Sequence, residues 1–178
     1  MKNMSLSNIA ASCGGKLLAT EEQAALTAAG IVIDSRLCNE NFVFVATKGE
    51  RVDGHSFIGM VKEKGALAAV CETEPDTETR TRADGSLLPV ILVEDSFKAL
   101  REIAAFYRRQ LSCKVVGITG SVGKTTAKDI VSAVLSQKFT VHKTAGNFNN
   151  DLGVPLTMFG LREEHEAAVV EMGVSHPG

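Results

Sequence analysis

The chain has 178 residues, of which 44% are hydrophobic and 22% are charged, an ordinary composition for a globular protein with a sizeable core. Lys and Arg number 19 against 21 Asp and Glu, so the formal net charge is −2. This balance excludes recognition of nucleic acid or a membrane surface through a broad basic field.

The four cysteines are widely spaced and suggest free buried thiols rather than disulfides or a zinc site. With no apolar run of signal or membrane-spanning length, we expect a cytoplasmic protein.

The first half of the chain alternates strand and helix signals, separated by turn-forming residues. The predicted elements are a serine-capped helix at 5–11, strands at 30–36 and 41–46, a charged turn at 47–55, a helix at 55–64, a strand at 66–71, a polar loop at 72–86 and a buried strand at 89–93. Phe57, Ile58 and Val61 have helical spacing and are expected to face inwards.

The second half begins with a long helix that Asp95 or Ser96 can cap. Its apolar face is expected to hold Phe97, Leu100, Ala104, Tyr107 and Leu111. The elements that follow are a strand at 114–118, a helix with an inner stripe of Ile130, Val131, Val134 and Leu135, a brief strand at 140–142, a helix at 154–159 and a strand at 167–170. Alternating strands and helices predict an α/β fold.

The segment between the strand at 114–118 and the next helix has the composition of a phosphate-binding loop. Gly120 and Gly123 let main-chain N–H groups converge, and the helix that follows directs the positive end of its dipole to the same place. Lys124 would reach the outer phosphates and Thr125 would ligate Mg²⁺. The general G-x-x-x-x-G-K-[ST] pattern requires glycine where this chain has Ile118. The alternative is a tight turn with a solvated lysine, but the motif favours ATP or GTP.

Two further groups of polar residues lie after this loop. Glu171 ends the last predicted strand, where a Walker-B-type metal ligand is expected, although a solvated strand-end glutamate remains an alternative. Asn147 and Asn150 lie in a glycine-rich loop, where their amides can donate to anionic or carbonyl oxygens. Alternatively, these asparagines support left-handed turns beside glycine.

Four blocks of these residues resemble the Mur ligases, the ATP-dependent amide-forming enzymes of bacterial peptidoglycan precursor synthesis. The blocks are 34–36 with 44–57, 118–126, 146–157 and 171–178. The first is similar to the family's UDP-binding domain and the second to its phosphate loop, which explains the short glycine spacing. The third is most typical of the branch that adds D-alanyl-D-alanine, and the fourth resembles that branch's metal-site strand end.

The resemblance implies a small N-terminal α/β UDP-binding domain at 1–93, followed at 94–178 by the first half of a doubly wound P-loop ATPase domain. It places the family's C-terminal ligase domain outside this sequence, so we expect a piece of a ligase that is inactive alone. A full ligase would be monomeric, whereas this chain is expected to self-associate through exposed apolar edges.

The resemblance also implies roles for individual residues. Lys124 and Glu171 would be catalytic, with Thr125 binding a first Mg²⁺ and Glu171 a second. The residues expected to hold ATP are Gly120, Ser121, Val122, Gly123, Lys124, Thr125 and Thr126. The residues expected to hold the UDP-muramoyl substrate are Ser35, Arg36, Lys48, Glu50, Arg51, Asp53, Asn147 and Asn150.

The activity implied is addition of D-alanyl-D-alanine to UDP-N-acetylmuramoyl tripeptide through an acyl phosphate, using ATP and Mg²⁺. One alternative is a sister ligase that adds the third amino acid, which the block at 146–157 argues against. Another is a non-catalytic module that binds a nucleotide sugar or ATP. A P-loop kinase is disfavoured by Ile118 and by a first domain that no kinase requires.

Overall fold

The computed structural model of the chain describes residues 1–49, 52–146 and 148–173. The chain divides into two compact units, one formed by Asn3–Ile103 and the other beginning at Ala104. Both units combine helices with mainly parallel strands, which confirms the predicted α/β class. In the ranges described, no helix is both long enough and apolar enough to cross a membrane.

The first unit is built on a five-stranded sheet. Its strands are β1 (Lys16–Leu18), β2 (Gly30–Val32), β3 (Phe42–Val45), β4 (Ala68–Cys71) and β5 (Val90–Leu92), and its helices are α1 (Leu6–Ser12), α2 (Glu21–Ala25), α3 (Ile58–Glu63) and α4 (Thr77–Arg80). The strand order is β1-β5-β4-β3-β2. Strands β2 to β5 pair in parallel, and β1 pairs antiparallel with β5.

The centre of this sheet is buried on both faces. All four residues of β4 and three of the four in β3 are buried, as expected for parallel strands covered on both sides. Ile58 and Val61 of α3 pack into the same core, as predicted from their spacing. Because parallel strands end at the same edge, the polar segments that follow β2 and β3 are brought to one edge of the sheet.

The helix α5 (Ser96–Arg109) contains the division between the two units. The side chain of Asp95 caps it, accepting a hydrogen bond from the backbone N–H of Lys98 at 2.9 Å. Leu100, Ala104 and Tyr107 are buried on the face predicted for them.

The second unit is built on a three-stranded parallel sheet with the order β6-β8-β7. Its remaining elements are β6 (Lys114–Ile118), α6 (Lys124–Leu135), β7 (Val141–Lys143), α7 (Gly153–Phe159) and β8 (Ala167–Glu171). The central strand β8 is buried along its whole length. The register pairs Ile118 at the end of β6 with Glu171 at the end of β8, so the segment after β6 begins beside that glutamate.

One local prediction is wrong, and another holds only in part. The polar segment 72–86 contains α4, which forms because the Asp76 carboxylate accepts hydrogen bonds from the backbone N–H and hydroxyl of Thr79. The predicted inner stripe of α6 is half right, since Val131 and Leu135 are half-buried, whereas Ile130 and Val134 are 60% and 66% exposed and Lys128 is buried. Hydrophobic spacing located the helix but not the whole of the face that it buries. The predicted domain boundary at 93/94 stays a prediction.

Candidate nucleotide site

The loop after β6 has a backbone that only glycine adopts readily at two positions. Gly120 has φ of 144° and Gly123 has φ of 75°, both in the left-handed half of conformational space. Gly123 is the N-cap of α6, and no side chain caps that helix. The N–H groups of the first turn of α6 therefore have no intrahelical or capping acceptor and can face an anion.

The predicted nucleotide-binding residues from Ser121 to Thr126 line one open cleft of about 350 Å³, together with Asn149 and Glu171. The ammonium of Lys124 folds back over the loop and donates to the carbonyl of Gly120 at 2.7 Å. A cation, a glycine turn and a helix N-terminus thus meet at one place, which is an arrangement suited to phosphate.

Glu171 lies against the first turn of α6. The residue is 2% exposed, and the Thr125 hydroxyl donates to its two carboxylate oxygens at 3.1 and 3.3 Å. The contact joins residues 46 positions apart, because the strand order places β8 beside β6. The carboxylate is buried among polar groups, unlike the solvated glutamate of the alternative interpretation.

Three residues that the sequence interpretation did not select also contact Glu171. Asn149 Nδ2 donates to Oε1 at 2.8 Å, Lys128 Nζ lies 3.5 Å from Oε2, and Thr144 Oγ1 accepts from the Glu171 backbone N–H at 3.0 Å. The hydrogen bond from Asn149, with further contributions from Thr125 and Lys128, outweighs burial and holds the pKa of Glu171 below its usual range. The sequence feature that could have identified Lys128 was its position on α6, one helical turn beyond Lys124.

The donor set suits a hard cation that arrives with a nucleotide. Thr125 and Glu171 offer a hydroxyl and a carboxylate, the oxygen donors that Mg²⁺ prefers, and Mg²⁺ bound with phosphates needs only one or two carboxylates from the protein. In the described part of the chain, no three His, Cys, Asp or Glu side chains cluster in a way that could hold a metal alone. The residues present therefore fit Mg²⁺ as a partner of nucleotide phosphates.

In the loop after β7, the asparagine that contacts Glu171 is Asn149, whereas Asn147 and Asn150 were expected at the site. Asn150 Oδ1 accepts from the backbone N–H groups of Gly153 and Leu152, at 2.8 and 3.3 Å, and so supports the start of α7. A contact between Asn150 and a substrate would therefore come from its amide nitrogen. Asn147, also expected near the substrate, lies outside the described residues, as do 174–178.

In the first unit, residues predicted to bind the UDP part follow β2 and β3. Asp34 accepts hydrogen bonds from the guanidinium and the backbone N–H of Arg36, and these bonds lower the pKa of Asp34 to about 2. Ser35 is buried, whereas Arg36 has a side chain that is 86% exposed. The segment after β2 thus presents an exposed arginine that is paired with the Asp34 carboxylate.

Lys48 and Asp53 form an antiparallel bridge that closes the turn after β3. Asp53 accepts from the backbone N–H of His55 at 2.9 Å and contacts its Nδ1 at 2.6 Å. The His55 Nε2 accepts from the backbone N–H of Glu72, so Nδ1 carries the proton and donates to Asp53. His55 therefore braces this turn, while Glu50 and Arg51 lie outside the described residues.

A glycine-bounded loop between a parallel strand and a helix, facing a buried carboxylate on the neighbouring strand, defines an α/β protein of the phosphate-loop class. Comparison with known families agrees: the Mur ligase family catalytic domain matches residues 27–108, and the Mur ligase middle domain matches residues 118–178. The chain belongs to the Mur ligase family, as the four sequence blocks predicted.

Two similar proteins, from Bacillus subtilis and Escherichia coli, carry the same name. The chain is 42% identical over 149 residues to the UDP-N-acetylmuramoyl-tripeptide–D-alanyl-D-alanine ligase of Bacillus subtilis, covering 84% of this chain and 31% of that protein. It is 37% identical to the ligase of the same name from Escherichia coli, over 100% of this chain and 36% of that protein. The chain thus spans about a third of the length of the curated relatives it matches.

Two solved structures of ligases also resemble the chain. An Acinetobacter baumannii UDP-N-acetylmuramoylalanyl-D-glutamyl-2,6-diaminopimelate–D-alanyl-D-alanyl ligase superimposes with a TM-score of 0.84 at 32% identity, covering 98% of this chain and 37% of that one. MurF ligase from Thermotoga maritima in complex with ADP superimposes with a TM-score of 0.71 at 37% identity, covering 89% of this chain and 34% of that one.

Proposed function

We propose that the chain provides the UDP-substrate-binding part and the phosphate loop of an ATP-dependent ligase that joins D-alanyl-D-alanine to UDP-N-acetylmuramoyl tripeptide. The observation that carries the ATP chemistry is the contact between Thr125 and Glu171 beside the glycine turn. The substrates are taken from the name shared by relatives that are 37% and 42% identical to the chain.

The proposed chemistry explains why a nucleotide is needed. A free carboxylate is a poor acyl donor, because its leaving group would be oxide. Attack of the tripeptide carboxylate on the γ-phosphate of ATP forms an acyl phosphate and releases ADP. The amine of D-alanyl-D-alanine then attacks the acyl carbon and expels inorganic phosphate. The protein's part is to align two anions and offset their repulsion.

In this reaction the second unit would hold the nucleotide. Lys124 would exchange the Gly120 carbonyl for the outer phosphates, and the N–H groups at the start of α6 would donate to them. Thr125 would hold a first Mg²⁺ and Glu171 a second. When bound, Mg²⁺ supplies positive charge against which phosphate and carboxylate oxygens can approach.

The first unit would hold the uridine diphosphate. Arg36 and Lys48 carry the charges suited to a diphosphate, and Ser35 and Asp53 would hold the uracil or ribose together with Glu50 and Arg51. In the second unit, Asn147 and Asn150 would donate amide hydrogens to the muramoyl group. We further propose a cytoplasmic location, where the soluble nucleotide substrates are available.

Titration calorimetry of the chain with Mg-ATP and, separately, with UDP-muramoyl tripeptide tests the proposal. We expect Lys124→Met to weaken Mg-ATP binding by about tenfold or more, because a phosphate loses its charge-assisted partner. Binding of the UDP substrate should be unchanged. Lys114→Met, which removes an exposed lysine from the start of β6, is the matched control and should leave both affinities unchanged.

The same titration separates the substrate alternatives. Preference for UDP-muramoyl dipeptide over the tripeptide would favour the sister ligase that adds the third residue. Binding of Mg-ATP with no response to any uridine nucleotide would overturn the function proposed for the first unit.

A further inference from the structure

Lys128 carries a buried positive charge outside the phosphate loop. The residue is 3% exposed and lies one turn beyond Lys124 on α6. Its ammonium lies 3.5 Å from Glu171 Oε2 and 3.4 Å from the carbonyl oxygen of Gly146, to which it donates. Both partners belong to other segments of the second unit, so one side chain ties α6 to the end of β8 and to the loop after β7.

Lys128 balances the charge of Glu171 inside the protein. The other side chains that donate to this carboxylate, Thr125 and Asn149, are neutral. Within the described ranges, Lys128 is the one cation at ion-pair distance from Glu171. Because a buried charge without a partner is strongly disfavoured, each member of this pair offsets the charge of the other before any ligand arrives.

A neutralised carboxylate has a weaker attraction for a free divalent cation. Each proposed Mg²⁺ also has few protein ligands, the Thr125 hydroxyl for the first ion and the Glu171 carboxylate for the second, where Mg²⁺ prefers six oxygens. The phosphates of a nucleotide would supply both the missing oxygens and additional negative charge.

We propose that Lys128 is a positioning residue that acts as the resident counter-cation of Glu171, holding the carboxylate against Thr125 and Asn149 and preventing a divalent cation from binding there without nucleotide. The inference rests on the nucleotide site proposed above. It adds a role for a residue that neither the loop motif nor the predicted metal ligands include.

Thermal unfolding of the 178-residue chain in EDTA and in Mg²⁺ without nucleotide tests this role. We expect Mg²⁺ to leave the melting temperature of the unsubstituted chain unchanged. Lys128→Met should melt at a lower temperature in EDTA and recover by about 3 °C or more in Mg²⁺, because the metal replaces the lost cation. Lys128→Arg keeps the charge and should behave like the unsubstituted chain.

Two further variants serve as controls. Lys143→Met breaks an exposed ion pair with Asp129 in the same unit, at 2.9 Å, and should show no response to Mg²⁺. Adding Glu171→Gln to Lys128→Met removes the unbalanced charge, so the double variant should melt above the single variant in EDTA and ignore Mg²⁺. A Lys128→Met chain that is destabilised equally in both buffers would reduce the pair to a structural contact and overturn the proposal.

Calorimetry on the unsubstituted chain gives a test that does not depend on whether Lys128→Met folds. A dissociation constant for Mg²⁺ alone tighter than about 1 mM would overturn the role of Lys128. Failure to bind Mg-ADP would instead count against the proposed nucleotide site. The two proposals can therefore fail separately.

Discussion

Asp34 and Arg36 show how neighbouring residues in the sequence fix one charged group of the first unit. The carboxylate accepts from the guanidinium at 2.7 and 2.9 Å and caps a short 3₁₀ helix that follows β2. Its pKa of about 2 lies below the ordinary value of 3.8. Because the pKa of Asp34 is lower in the folded chain than in the unfolded chain, the ionised carboxylate stabilises the folded state at pH values above 3.8. This contribution is lost as the pH falls through about 2.

Arg36→Ala should therefore raise the pKa of Asp34 from about 2 towards 3.8, because the guanidinium hydrogen bonds are the largest cause of the shift. The bond from the backbone N–H of residue 36 remains, so the return should be incomplete. Carboxyl-detected NMR titration measures it. Arg101→Ala, which removes an exposed arginine of α5, should leave this pKa unchanged; an unshifted pKa in Arg36→Ala would contradict the assignment.

At the scale of single elements, α6 shows that hydrophobic spacing can locate a helix without fixing which of its faces is buried. The apolar residues of this helix fall on more than one face, and the structure buries Lys128 and Ser132 while exposing Ile130 and Val134. The helix packs on β8 and β7, and its orientation brings Lys128 to Glu171. The buried face of α6 therefore includes an ion pair as well as the half-buried Val131 and Leu135.

Ile130→Ala should change the free energy of unfolding by less than about 0.5 kcal/mol, because the side chain is 60% exposed. Val169→Ala removes two methyl groups from a fully buried residue of β8 and should cost about 1–3 kcal/mol. Urea unfolding of the two variants at low protein concentration gives the comparison. A larger loss for Ile130→Ala than for Val169→Ala would show that α6 buries the face first predicted.

At the scale of the whole molecule, the second unit exposes an apolar sheet edge. In the described part of the chain β6 pairs with β8 alone, and its Val115 and Val116 are 40% and 37% exposed. An edge strand with exposed valines offers N–H and C=O groups to another chain. We therefore retain the prediction that this chain self-associates.

Size-exclusion chromatography with light scattering should show a mass that rises with protein concentration. Val115→Lys should reduce this rise, because a charge at a sheet edge disfavours pairing with a second strand. Leu37→Lys places the same charge on an exposed leucine of the first unit, 62% exposed, and should have no effect. A strictly monomeric chain at high concentration would contradict the prediction.

The sequence by itself determined the features that short-range geometry controls. Glycines at 120 and 123, followed by Lys124 and Thr125, specify a phosphate loop, because a left-handed backbone and a helix start depend on a few adjacent residues. The position of Glu171 at the end of an apolar strand and the alternation of strands and helices could also be predicted from the sequence.

Only the tertiary structure decided which side chains meet at Glu171. Asn149 and Lys128 lie 22 and 43 positions from it in the sequence and contact it because β8 takes the central place in the sheet, between β6 and β7. Strand order and helix rotation are set by packing and charge pairing between distant segments. Local spacing does not contain that information, which explains why the loop was predicted and its buried counter-charge was not.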